Sequence, residues 1–401
     1  MKVLTVRTII ALLIVGIGIG VAQAWFAHAP ASVPPPDDQT PSDQVRNHTT
    51  GNSTLEMVFV LDTTGSMGGL LEGAKQRIWG IVNEVMQSTS HPSVRVGLVA
   101  YRDRGDEYVT KVLPLTTDLD QVYSTLMSYR AAGGGDTPEN VRRALAHAVH
   151  NGGWLPRTPG IAQIIFLVGD APPHEDYQDE ASTATSTAEA VKTGKIVNTI
   201  QCGNLAGTQT VWQAIAQNGE GQYFAIPQDG GVQAIATPYD KEMSQLGAKV
   251  GSTYMAYGGG DGAAGISYRA EARSRQAATE TSVAAGAPSE AKADRALNKA
   301  VNGQAYAGDL LTNLENGSVK LDSVKDEDLP DDLKKLGPAA RQKEIEKRLA
   351  ERKQLRGDIL KLSKLRDEFI AARKKQPGKA NSFDSAVAVA LKEQLTRKGI
   401  R

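Results

Sequence analysis

From residue 55 to about residue 247 the chain alternates short apolar runs with amphipathic stretches. Residues 55–61, Leu55-Glu56-Met57-Val58-Phe59-Val60-Leu61, are too few and too evenly apolar for a surface helix, and they read as a buried strand. Leu70, Ile78, Ile81 and Val85 then fall on one side of a helix over 69–86. The same reading places strands at 94–101, 108–115, 161–168, 196–202 and 222–226, of which 161–168 is the most apolar. Helices are expected near 119–129, 139–150, 182–193, 210–217 and 230–247. Fully apolar strands alternating with helices predict an α/β fold, a Rossmann-like, doubly wound and mainly parallel sheet covered on both faces.

Beyond residue 250 the pattern changes. Residues 251–290 are rich in Gly, Ala and Ser and read as a loose connector, with the run 258–262 serving flexibility. Residues 291–401 read as a mostly helical C-terminal region, broken at Asn316-Gly317 and at Gln376-Pro377-Gly378. Leu355, Ile359, Leu362 and Phe369 keep helical spacing within 331–375, where 15 Lys/Arg face 8 Asp/Glu. That stripe is a packing face with a solvated basic side, or else a basic docking arm. It spans too few heptads to specify a coiled coil.

At the other end, Lys2 and Arg7 precede fourteen residues without a polar side chain, 9–22, and Ala22-Gln23-Ala24 offers a small-x-small cleavage site. Residues 1–27 are therefore a signal peptide or an uncleaved N-terminal membrane anchor, and both place the body of the chain outside the cytoplasm, periplasmic or secreted. A Pro-rich polar linker, 28–53, leads into a domain spanning 54–250.

Overall composition narrows the chemistry. Lys+Arg and Asp+Glu are 45 each, so net charge proposes no nucleic-acid partner. The single cysteine, Cys202, excludes an internal disulfide and a cysteine zinc site, and its apolar strand marks it as an inert core thiol. Gly68-x4-Gly73-Ala74-Lys75 lacks the Lys-Ser/Thr that a phosphate-binding loop requires directly after its second glycine. Ser66 has no nucleophile-elbow setting, because Thr64 stands where the first glycine would be. No metalloprotease spacing involves His147 or His150.

One constellation remains. Directly after the first strand, Asp62, Thr64 and Ser66 place a carboxylate and two hydroxyls in a Gly-containing loop, all oxygen donors of the kind a hard divalent cation prefers. Gly133-Gly134-Gly135-Asp136-Thr137-Pro138-Glu139 precedes a helix, and Val168-Gly169-Asp170 ends the most apolar strand. Asp-x-Thr-x-Ser after a strand resembles the Asp-x-Ser-x-Ser motif of the von Willebrand factor type A family, and the two further loops arrive in that family's order. The resemblance covers about residues 54–248. It implies a metal-ion-dependent adhesion site, with Asp62, Thr64 and Ser66 as ligands, Asp136 or Thr137 as the second-loop ligand, and Asp170 acting through water. The implied ion is Mg2+, or Mn2+ or Ca2+, and the implied partner is a protein presenting an acidic residue. Tyr101-Arg102-Asp103 and the glycine-rich loop resemble a subgroup that includes domains attached to kinases, but no kinase signature follows here. His174 is expected to be a solvated loop histidine.

The expected function is non-enzymatic, a metal-dependent protein-binding module outside the cytoplasm. Two alternatives differ in class. One is an enzyme with its chemistry in residues 255–401, which the lack of clustered His, Cys or paired carboxylates there disfavours. The other is an oligomerising envelope protein with a vestigial metal site.

Overall fold

The computed structural model describes residues 53–87, 92–135, 137–232, 235–303, 306, 308–373 and 382–400. The N-terminal segment 1–27, linker residues 28–52, Asp136 and the Gln376-Pro377-Gly378 break lie outside the described residues. Among the described residues no helix is long and apolar enough to cross a membrane.

Six strands form one sheet. In chain order they are β1 Thr54–Asp62, β2 Ser93–Tyr101, β3 Thr110–Thr116, β4 Ile161–Gly169, β5 Ile196–Cys202 and β6 Glu220–Ile226. Their spatial order is β3-β2-β1-β4-β5-β6. Only the β2–β3 pairing is antiparallel; β2–β1–β4–β5–β6 run parallel. Between them come α1 Gly68–Met86, α2 Leu119–Ser128, α3 Val141–Asn151, α4 Thr183–Lys192 and α5 Thr208–Asn218. The mainly parallel, doubly wound architecture read from the alternation is present.

The two faces of β1 explain its continuous apolarity. Leu55, Met57, Phe59 and Leu61 enter a core shared with α1 and α2, while Val58 and Val60 join the opposite core under α3, α4 and α5. Alternate side chains of a strand point to opposite faces, so a strand covered on both sides is apolar on both, the exception being Glu56, which is buried against Arg95 and Gln163.

The rest of the chain is helical: α6 Asp240–Ser252, α7 Gly262–Gly286, α8 Ser289–Val301, α9 Leu310–Glu315, α10 Asp331–Lys334, α11 Pro338–Arg373 and α12 Phe383–Arg397. Three expectations change here. The helix expected at 230–247 begins only at Asp240, because Gly230 and Gly231 take positive φ (83° and 60°) and Pro238 precedes the first turn. The stretch read as a loose connector, 251–290, holds the 25-residue helix α7, as its alanine content favours. Its glycine run is tied down as well: the buried Arg269 guanidinium donates to the carbonyls of Gly258 and Gly260, and Gly260 N–H donates to Asp328.

Nor does the sheet's core close at residue 250. Phe383, Ala386, Val387, Ala390 and Leu391 of α12 are buried in the same cluster as Phe59, Phe166 and Ile200. The helix is also pinned by a buried reciprocal amide pair, Asn198 Nδ2 to Gln394 Oε1 at 3.1 Å and Gln394 Nε2 to Asn198 Oδ1 at 2.6 Å. Between α6 and α11 the chain builds two further cores, one around Met243, Leu297 and Ile359, the other around Leu310, Leu329 and Ile345. The basic excess of α11 is partly consumed inside: Arg352 pairs with Asp309, and Arg366 reaches Asp240 at 2.8 Å and Asp294 at 2.7 Å, all buried.

Candidate metal centre

Strands β1 and β4 lie side by side where the winding of the sheet reverses, and open α/β sheets bind ligands in the crevice outside the strand ends at such a point. Asp62 ends β1 and Asp170 follows β4. Backbone bonds tie the surrounding loops together. Thr63 N–H donates to Tyr101 O at 2.9 Å, Ala132 N–H to Thr63 O at 3.1 Å, and Gly65 N–H to Gly133 O at 3.2 Å. A short parallel bridge joins Glu139 to Pro173, with Glu139 N–H donating to Pro172 O at 3.0 Å and His174 N–H to Glu139 O at 3.1 Å. Asn140 then caps α3, its side chain accepting from Arg143 N–H at 3.0 Å.

Within this frame Asp62 and Thr64 are buried, whereas Ser66 and Thr137 are exposed at the lip. Asp62 Oδ1 accepts from Thr64 N–H at 2.8 Å and from Thr64 Oγ1 at 2.6 Å. The hydroxyls of Thr64 and Ser66 are 3.3 Å apart. Asp62 Oδ2 is buried and has no hydrogen-bond partner. Burial pushes the Asp62 carboxyl up to about 7, against the lowering effect of its bonds from Thr64. Gly169 makes room for it, since a Cβ there would stand 3.1 Å from Asp62 Oδ2 and 2.3 Å from Tyr101 Oη.

Two residues outside the predicted set belong here. Glu139 is buried, its Oε2 has no partner, and burial followed by the charges of Asp62, Asp103, Asp106 and Asp170 pushes its carboxyl up to about 9. Its Oε1 and the Thr64 side chain both crowd the space a Cβ on Gly134 would fill, which keeps that position glycine with φ 71°. Gln228, just beyond β6, donates from Nε2 to Asp170 Oδ2 at 2.6 Å and to Ser66 O at 3.3 Å, so it bridges the first and third loops. Its position two residues past a strand end, Ile226-Pro227-Gln228, was the available signal. Glu139 was visible in its loop but carried no marker separating it from a helix-start carboxylate.

Buried polar atoms without partners are rare and call for an explanation. Asp62 Oδ2 and Glu139 Oε2, beside two hydroxyls, form an all-oxygen set that fits a hard divalent cation. Among the described residues no three His, Cys, Asp or Glu side chains group to hold a metal, so an ion here would need the hydroxyls as well.

Residues 56–238 match the family model of the von Willebrand factor A domain. This segment is a von Willebrand factor A domain. Its relatives include an ariadne-like RING finger protein of Acanthamoeba polyphaga mimivirus, 26% identical over 163 residues, which are 40% of this chain and 15% of that one. The von Willebrand factor A domain-containing protein 7 of Rattus norvegicus is 37% identical over 119 residues, 30% of this chain and 12% of its own length. Matches therefore span only a small part of these relatives. Among solved structures, the crystal structure of the SpRpn10 VWA domain is similar at 16% identity and a TM-score of 0.33, covering 44% of this chain and 89% of that one.

The A domain brings together Asp62, Thr64, Ser66 and Asp170 from the predicted set, with Thr137 on the lip. His174, expected to be solvated, is buried: its ring stacks on Tyr177 with centroids 4.1 Å apart, and Nδ1 lies 2.8 Å from Asp176 Oδ1. Cys202 is buried in β5, where burial pushes its thiol well up, away from reactivity.

Proposed function

We propose that this chain is an extracytoplasmic, non-enzymatic protein-binding module whose A domain holds a divalent cation, Mg2+ in the first place, and uses it to capture an acidic residue of a partner. A von Willebrand factor A domain supports a protein-interaction role. The observation that carries the metal reading is Asp62 Oδ2, buried at the switch point without a partner beside the Thr64 and Ser66 hydroxyls. In this reading Asp62 coordinates directly, Thr64, Ser66 and Thr137 or Asp136 supply further oxygens, and Asp170, held by Gln228, orients water. With Thr137 as the second-loop ligand, Asp62 is the one carboxylate placed directly on the ion, which then retains net positive charge for a partner's carboxylate. The extracytoplasmic setting rests on the Lys2/Arg7 and 9–27 pattern.

Titration calorimetry of the full chain with Mg2+, Mn2+ and Ca2+ tests the site. Wild type should bind at least one ion, and saturating metal at about 100 times Kd should add roughly 2.7 kcal/mol of stability. Asp62→Ala should abolish binding, and Gln228→Ala should weaken it by about 10–100-fold, as loss of an outer-shell partner does. Equal binding by Asp62→Ala, or none by wild type, would remove the adhesion-site reading and leave the fold.

A further inference from the structure

A cavity of 740 Å3 lies between α2 of the A domain and α7 of the helical half. That is within the range of about 300–1,000 Å3 that small-molecule sites occupy. It shares no lining residue with the metal centre. Tyr254 and Tyr306 meet edge to face in its wall, ring centroids 5.7 Å apart, and Tyr268 stands at its mouth, 46% exposed. Tyr306 is 4% exposed, and its Oη has no hydrogen-bond partner. A buried hydroxyl left in that state is a donor waiting for an acceptor.

The charges in the wall balance. Arg275 of α7 lines the cavity, and among the described residues its guanidinium makes no hydrogen bond or ion pair. Asp118 faces the same space from the start of α2, where it also accepts from Gln121 N–H at 3.0 Å. The other carboxylate, Asp120, is held by Arg295. A ligand of either net charge therefore meets a group of its own sign. The remaining polar lining is neutral, amides and hydroxyls of α2 and α7 such as Gln121, Ser124, Gln276 and Thr279.

Rings with a C–H face to lay on tyrosine, and with adjacent hydroxyls that a carboxylate or a guanidinium can bracket, fit such a lining. We propose that the cavity between α2 and α7 is a binding site for a neutral oligosaccharide, with Arg275 and Asp118 bracketing its hydroxyls and Tyr306 donating to it from below. The site joins the A domain to the helical half, so a bound glycan touches both. It gives the chain a second class of ligand, independent of the metal.

The test is a glycan array probed with the full-length chain, followed by calorimetry of the best-retained neutral oligosaccharide. Neutral glycans should be retained over acidic and aminated ones, with affinity unchanged by a chelator. Arg275→Ala should lower that affinity roughly tenfold, the effect of losing a hydrogen bond to a charged group. Tyr306→Phe should lower it several-fold while leaving or raising the thermal midpoint, because it removes a hydroxyl that the free protein leaves unpaired. Retention of no neutral glycan, a preference for charged ones, or wild-type affinity in both variants would overturn the proposal.

Discussion

Asp62 carries a structural cost beside the metal-binding role proposed for it, and the two can be separated by pH and metal. Its carboxyl lies at about 7 in the folded chain through burial, against 3.8 in the open chain. Below about pH 4 both states hold the proton and there is no penalty. Between about pH 4 and pH 7 the folded state keeps a proton that the unfolded state has released, so stability falls as pH rises, and above pH 7 the full penalty persists. A tenfold change in proton affinity is worth about 1.4 kcal/mol, which bounds the penalty at roughly 4 kcal/mol. Asp62→Asn keeps an oxygen for Thr64 and removes the charge. In a chelator it should unfold at higher urea than wild type at pH 8, with the gap closing toward pH 4. Saturating Mg2+ should then stabilise wild type and leave the variant where it was. Parallel pH profiles for the two proteins would show that Asp62 is not the strained group this geometry makes it.

Among the elements, α12 has the most to say about how the A domain is built. Its apolar stripe is ordinary, yet Phe383 packs on Phe59 with centroids 6.0 Å apart, and Phe59 stacks on Phe166 at 5.3 Å. The helix starts with a capping box between Ser382 and Ser385, and Phe383 N–H donates to Gly230 O at 2.8 Å, which fixes where it meets the sheet. Phe383→Ala should cost about 3–5 kcal/mol, the range for emptying a core aromatic site, and denaturant unfolding should lose the A domain and the helical half in one transition. A change below about 1 kcal/mol, small for a core aromatic, would mean that α12 rests on the sheet without completing its core. The element α11 gives the converse lesson. Its charge excess reads as the solvated side of a packing face or as a docking arm; Arg352 and Arg366 are committed to buried carboxylates, while Lys353, Lys361 and Lys364 remain exposed.

At the scale of the molecule, the last helix closes a sheet that begins at residue 54, and α6 to α11 are strung between. A reporter for the membrane side therefore belongs after the C-terminus, since a fusion at residue 250 would remove α12 from the core. Such a fusion should be active only outside the cytoplasm, and cytoplasmic activity would end the extracytoplasmic reading. The sequence by itself located the six strands, the inner ones because burial on both faces leaves a local apolar signature, and it picked out three oxygen-bearing side chains of one loop, because two-residue spacing after a strand is a local pattern as well. It also marked the two further loops that meet that first one. Only the tertiary structure decided what those loops contain beyond their motifs. Gln228 reaches Asp170 across 58 residues of chain, and Glu139 sits under Thr64 through the Gly134 turn. It alone decided that α12 belongs to the sheet and that Asn198 and Gln394 satisfy each other. An apolar stripe or a buried amide records that it needs a partner; which partner is settled by the packing of segments distant in sequence, and no local pattern encodes that.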